Sequence, residues 1–191
     1  MDKGRLEAFS DGVLAIIITI MVLEMKAPQK PDLASLLPVV PILLSYVLSY
    51  VHLGIYWNNH HHLFQATEHV DGRVLWANLH LLFWLSLIPF VTAWMGVNRF
   101  ASLPVALYGI ILLLTGMAYY VLTRALISLH GSDSIIAIAV GRDFKGVGSV
   151  LIYLVAVPLA FVHPAISCAL YVLVAVIWLV PDRRIEKRLA R

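Results

Sequence analysis

The chain has 191 residues, of which 61% are hydrophobic and only 13% charged, with a formal net charge of +3 and a mean hydropathy of +0.86. That composition excludes a soluble globular domain and a disordered chain, and a small net charge without a basic stripe excludes a nucleic-acid binder. At about 20 residues per membrane-crossing helix, the roughly 117 apolar residues suffice for about six spans.

The runs divide at Pro, Gly and charge clusters. Spans are expected at approximately 5–25, 35–60, 73–97, 103–127, 147–162 and 165–180, forming one six-helix transmembrane domain over 1–191. The first apolar run, 13–23, is followed by Glu24-Met25-Lys26 and not by a small-x-small cleavage site, so it is expected to be retained. None of the runs alternates apolar and polar residues, which argues against barrel strands. Pro38, Pro41 and Pro104 fall near helix starts, where a missing N–H costs little. Pro89, in mid-span, predicts a kink, and His163-Pro164 predicts a tight turn before the last span. Cys168, the single cysteine, excludes an intrachain disulfide framework and a multi-cysteine zinc site.

Charge placement gives orientation. Six spans starting from the cytoplasm leave Lys3, Arg5, Arg73, Arg124, Arg142, Lys145, Arg183, Arg184, Lys187, Arg188 and Arg191 inside. Only Lys26, Lys30 and Arg99 fall outside, a positive-inside asymmetry that puts both termini in the cytoplasm of a multi-pass plasma-membrane protein.

The first span is the unusual one. Its apolar run, 13–23, covers about 16 Å of a hydrocarbon core of about 30 Å. Ser10, Asp11 and Glu24 must therefore approach the membrane, which predicts a helix interior to the protein. Ala8, Gly12, Ala15 and Thr19 form a stripe of small residues; Phe9, Val13, Ile16, Ile20 and Leu23 form a bulky one. Spacing alone reads both as packing surfaces, with a pore lining as the sharper alternative.

Span two ends in Tyr56-Trp-Asn-Asn-His-His-His-Leu-Phe64. Successive helical residues point about 100° apart, so His60, His61 and His62 do not converge on one ion. Hydrogen-bonded or interfacial histidines fit better, and neither a metal nor another cofactor is expected. His52 and His80, within spans, are expected to bond between helices. Gly146-Val-Gly148 is a lone G-x-G at a helix entrance that reads as a loop and not as a phosphate cradle.

The stretch Arg5-Leu-Glu-Ala-Phe-Ser-Asp-Gly-Val-Leu-Ala-Ile-Ile-Ile-Thr19 resembles the signature of the prokaryotic branch of the transmembrane protein 175 family, whose animal member is an endolysosomal potassium channel. Trp57-Asn-Asn-His60 with Leu63-Phe64, and more loosely Arg73-Val-Leu-Trp-Ala-Asn78 leading to Ser86-Leu-Ile-Pro-Phe90, extend the match over the first three spans. The later spans match only as apolar helices. The Phe-Ser-Asp-Gly motif occurs once, where the animal protein carries two repeats, so the resemblance implies a homotetramer. It further implies a pore lined by helix one, with Ile16, Ile20 and Leu23 at the constriction and Thr19 near its narrow part. Arg5, Ser10, Asp11 and His60 match the family's polar network, His60 being favoured by the W-x-x-H spacing.

The expectation is an all-α, polytopic membrane protein: a potassium-preferring cation channel, not an enzyme, with potassium ions, membrane lipids and its own copies as partners. Three alternatives stand beside it. One is a metal-dependent membrane enzyme built on His60–His62. Another is a proton-coupled transporter using His52, His80, Asp11 and Glu24, and the third a non-conducting scaffold.

Overall fold

The computed structural model describes residues 3–141 and 143–179. Arg142, the predicted end of the last span at Val180, Pro181 and the basic residues Arg183, Arg184, Lys187, Arg188 and Arg191 lie outside the described residues. The protein is all-α: α1 (Gly4–Leu23), a 3-10 segment (Leu33–Val39), α2 (Val40–Gln65), α3 (Gly72–Ser86), α4 (Ile88–Val97), α5 (Ser102–His130), α6 (Ile135–Val140), α7 (Phe144–Leu159) and α8 (Pro164–Leu179).

Among the described residues, four stretches are long and apolar enough to cross a membrane: Gly4–Leu23, Leu33–Gln65, Gly72–Val97 and Ser102–His130. The third contains the predicted kink. Pro89 has no N–H to offer the turn behind it, and the helix breaks at Leu87, dividing α3 from α4. α7 and α8 are shorter, with 16 residues each, about 24 Å of helix. Pro164 opens α8, as its preset φ favours.

Side chains set several of the helix starts. Asp71 accepts from the Val74 N–H at 2.9 Å, and Asp143 from the Gly146 N–H at 2.8 Å. The second cap corrects the reading of Gly146-Val-Gly148 as a loop: both glycines lie in the first turns of α7, and an internal carboxylate occupies the free amide there. α4 closes through Phe100 N–H to Met95 O at 2.9 Å and Arg99 N–H to Gly96 O at 3.1 Å. Arg99 takes the left-handed φ of 48° at the position where this closure usually has glycine.

α5 is the central helix, packed against α3, α4, α7 and α8 and burying Tyr108, Leu112, Ala118, Leu122 and Leu126. Buried hydroxyls tie neighbours to it. Ser49 of α2 bonds Thr92 of α4 at 2.6 Å and donates to Tyr108 Oη at 3.1 Å; Tyr171 Oη of α8 donates to Val105 O at 3.1 Å. Each satisfies a polar group that lipid would leave unpaired. α1 departs from the expectation of an interior helix. Within the chain it lies at the edge, burying Leu6, Ser10, Leu14, Ile17 and Met21 against α2, α3 and α4 and leaving the rest of its circumference uncovered.

α2 and α4 approach closely at Gly96, where an added Cβ falls 2.5 Å from Ser45 Oγ and 2.7 Å from the Ile42 Cα. Gly96→Ala is therefore expected to destabilise by about 1–3 kcal/mol through overpacking. Gly54→Ala, with nothing within 4 Å, is expected to be neutral or stabilising by up to about 1 kcal/mol. Thermal unfolding of both variants in detergent checks the contrast; equal shifts would show that the α2–α4 backbone contact is not tight.

Candidate functional site

α1 carries two surfaces with different partners. The packed one, Leu6, Ser10, Leu14, Ile17 and Met21, recurs at helical spacing and faces the chain's own core. The other carries the small stripe and the bulky stripe together. Ile16 is 58% exposed, Ile20 41% and Leu23 79%, and Ala8, Gly12, Ala15 and Thr19 are exposed beside them. The Thr19 hydroxyl donates to Ile16 O at 2.9 Å, which leaves its oxygen lone pairs on the uncovered side.

At the N-terminal end of α1, polar side chains from three helices meet. Asn78 of α3 donates through Nδ2 to Ser10 Oγ of α1 at 2.9 Å, and its Oδ1 meets His60 Nε2 of α2 at 2.8 Å. Ser10 in turn donates to Leu6 O at 2.8 Å. With the amide so oriented, His60 Nε2 carries the proton that Asn78 Oδ1 accepts. All three side chains are buried, and His60 also packs on Phe64 with ring centroids 4.5 Å apart.

Ser10 and His60 are thus brought together, but through Asn78. Asp11 lies on the exposed side, where its Oδ1 accepts from the Trp57 indole N–H at 3.0 Å. Arg5 is exposed, and among the described residues it makes no hydrogen bond or ion pair with Asp11 or His60. Lys3 adds a contact that the sequence reading did not include. Its Nζ donates to Phe64 O at 2.8 Å and Thr67 O at 2.6 Å, placing a cation on carbonyls at and just beyond the C-terminal end of α2. Trp57 and Asn78 both stand in the quoted family motifs, so a signal existed. No spacing rule singles out Lys3.

The remaining histidines disperse. His61 stacks on Trp57 at 5.9 Å and meets Gln65 Nε2 at 2.9 Å. Among the described residues no group of three His, Cys, Asp or Glu side chains is placed to hold a metal ion. His80 and His52 depart from the interhelical bonding expected of them. His80 accepts from Trp84 one turn on in α3 at 2.9 Å, and His52 Nδ1 meets Leu48 O one turn back in α2 at 2.9 Å. In both cases the i, i+4 geometry of the helix supplies the nearer partner.

This geometry is that of a structural tether beside an uncovered helix face that mixes apolar side chains with Arg5, Asp11 and Thr19. The tether fixes how α1 is rotated about its axis, and thereby which side chains stand on the uncovered face.

Comparison with known proteins gives the family. Residues 5–89 match the family model described as the endosomal/lysosomal potassium channel TMEM175. A protein of Chryseobacterium sp. (strain P1-3) named a potassium channel is 53% identical over 99% of this chain and 98% of its own length. The human protein named endosomal/lysosomal proton channel TMEM175 is 36% identical over 76 residues, covering 34% of this chain and 15% of that one. The fold matches the crystal structure of a lysosomal potassium-selective channel TMEM175 homologue from Chamaesiphon minutus, with a TM-score of 0.80 and 29% identity over 94% of this chain and 97% of that one. These relatives are channels and not enzymes. The chain belongs to the TMEM175 family of membrane channels.

Proposed function

We propose that the protein is a potassium-preferring channel in which four copies surround a pore lined by α1. The uncovered face of α1 carries the reading. A lipid-facing helix is apolar around its exposed surface, yet this one exposes Arg5, Asp11 and the Thr19 hydroxyl along with Ile16, Ile20 and Leu23. Ionisable side chains at such positions belong against protein or water. The Ala8, Gly12 and Ala15 stripe supports close approach by a neighbouring copy. At 20 residues, α1 is about 30 Å long and matches the hydrocarbon thickness.

In this assembly Ile16, Ile20 and Leu23 form rings of apolar side chains, a neck from which water withdraws when it is narrow. Thr19 offers hydroxyl oxygens between the isoleucine rings and is the candidate group for meeting a partly dehydrated potassium ion. The Ser10–Asn78–His60 tether holds each α1 in register, and Arg5 and Asp11 meet the cytoplasmic mouth or an adjacent copy. α7 and α8 serve as the fifth and sixth spans, making 1–191 one six-span unit. The plasma membrane is its site, with both termini cytoplasmic.

The human relative's name makes protons a second permeant species to measure. Liposomes containing the protein are expected to show potassium flux down a gradient, with proton flux read in the same vesicles by a pH-sensitive dye. No potassium flux at any lipid composition or voltage would refute the channel.

Ile16→Asn is expected to wet the neck, raising conductance at least about twofold and lowering potassium-over-sodium selectivity. Bilayer recordings check this; unchanged currents from a normally expressed variant would place Ile16 away from the pore.

Asn78→Ala strands Ser10 and His60 without their shared partner and is expected to cost about 1–3 kcal/mol of stability. The tetramer should unfold at a lower temperature and gate differently. A variant with parent stability and currents would show that the tether does not position α1.

A further inference from the structure

Away from α1 and its tether, α2, α5, α7 and α8 enclose a cavity of about 350 Å³. That volume is within the range of small-molecule sites, and most of the wall is apolar, as at Ile55, Met117, Val150 and Val174. A single charged side chain, Asp143, stands on the described wall, and no Lys or Arg does.

The unused hydrogen-bonding capacity of this wall is on the acceptor side. Asp143 is half-buried, and its carboxylate takes one N–H, from Gly146 at 2.8 Å. A carboxylate has room for about four. It stands close enough to Tyr119, across the wall, to act on that hydroxyl through space. Asn59 donates through Nδ2 to Ile55 O at 2.8 Å, and among the described residues nothing donates to its Oδ1. The hydroxyls of Tyr56 and Tyr120 have no partner there either, and each can accept as well as donate. Lys145 is the nearby cation, its Nζ 6.0 Å from the ring centroid of Trp178; Trp178 lines the cavity and Lys145 does not. A carboxylate beside apolar surface is costly unless a cation matches it.

We propose that this cavity binds a protonated organic amine, an apolar body bearing one ammonium that pairs with the Asp143 carboxylate. The positive charge follows from a wall with one carboxylate and no basic side chain. The N–H donors follow from the open acceptors on Asp143, Asn59, Tyr56 and Tyr120. The organic body follows from the apolar remainder and from the aromatic rings of Tyr56, Tyr119, Tyr120 and Trp178, a residue type that attracts ammonium groups. A metal ion would need more oxygen ligands around it than one carboxylate supplies. A free small amine and a single-chain lipid amine share this chemistry. The occupant bridges α2 and α5 to α7 and α8, and its binding does not depend on the protein's being a channel.

The test is equilibrium dialysis of the full-length protein in phosphatidylcholine nanodiscs at neutral pH, against empty nanodiscs, which subtracts partition into the bilayer. The probes are 4-butylbenzylamine, 4-butylbenzyl alcohol and 4-butylbenzoate, similar in body and carrying a positive, a neutral and a negative head. The amine is expected to bind saturably, about one per chain and about tenfold more tightly than the alcohol, with the carboxylate weaker than both. Asp143→Asn removes the charge but keeps the cap on the Gly146 N–H, because Asn caps a helix about as well as Asp. It should erase the advantage of the amine over the alcohol. Asp133→Asn, at an exposed carboxylate that is not on the wall, should leave that advantage intact. Hexadecylamine added to the nanodiscs displaces the probe if a lipid amine is the occupant; probe binding untouched by it assigns the site to a free amine. Equal affinities for amine and alcohol in the parent protein overturn the proposal. So does an advantage that survives Asp143→Asn, or one that Asp133→Asn lowers as far, since the amine would then be responding to surface charge in general. The parent comparison needs no variant, so an Asp143→Asn chain that fails to fold leaves the proposal open to refutation.

Discussion

A polar side chain buried among membrane helices has to find its partner in protein, because the surroundings offer none. The structure around α1 follows from that constraint. Asn78 supplies both halves of an amide to two different helices, donating to Ser10 and accepting from His60. An apolar contact tolerates sliding and rotation by small amounts. This bridge does not, since a turn of α1 by one residue carries Ser10 about 100° away from α3. The orientation of α1 is thus set by hydrogen bonds, while Leu6, Leu14, Ile17 and Met21 supply its adhesion. Lys3 on the α2 carbonyls pins the same end axially.

Much of this was legible in the residues. Composition and run length indicated an all-helical membrane protein, and Pro89 and Pro164 marked a break and a turn that sterics alone require. The Arg5–Thr19 stretch with Trp57-Asn-Asn-His60 identified the family, and the relatives agree. The edge position of α1 was harder to see. Charges fencing a short apolar run show that a helix avoids lipid, but not whether its own chain or another copy shields it. Only the packing, with Ser10 and Ile17 covered and Asp11 and Ile16 open, separates those cases.

Pairings were less legible than memberships. Ser10, Asp11 and His60 cluster at one end of the bundle, but which atom meets which depends on side-chain direction within each turn. Asp11 takes an indole hydrogen from Trp57, and the carboxamide of Asn78 stands where a direct Ser10–His60 contact would otherwise be drawn. The intrahelical bonds of His52 and His80 have the same origin. A histidine on a helix always has neighbours one turn away, whereas an interhelical partner must be delivered by the fold.

α2 is where these constraints meet. Its buried residues are largely polar: Ser45, Ser49, His52 and His60 accompany Leu53, Leu63 and Phe64. It bonds α3 through His60, and α4 and α5 through Ser49. A helix held this way moves in discrete steps, because each bond is either kept or replaced. If α1 lines a pore, rotation of α1 alone breaks Ser10–Asn78 and leaves buried polar atoms unpaired. Tilting α1 together with α2 and the first half of span three keeps that bond. The break at Leu87, between α3 and α4, gives span three a point where the backbone ladder is already interrupted, but Ser49–Thr92 and the close approach at Gly96 tie α4 to α2 beyond it, so α4 has to follow α2 or that bond has to be exchanged.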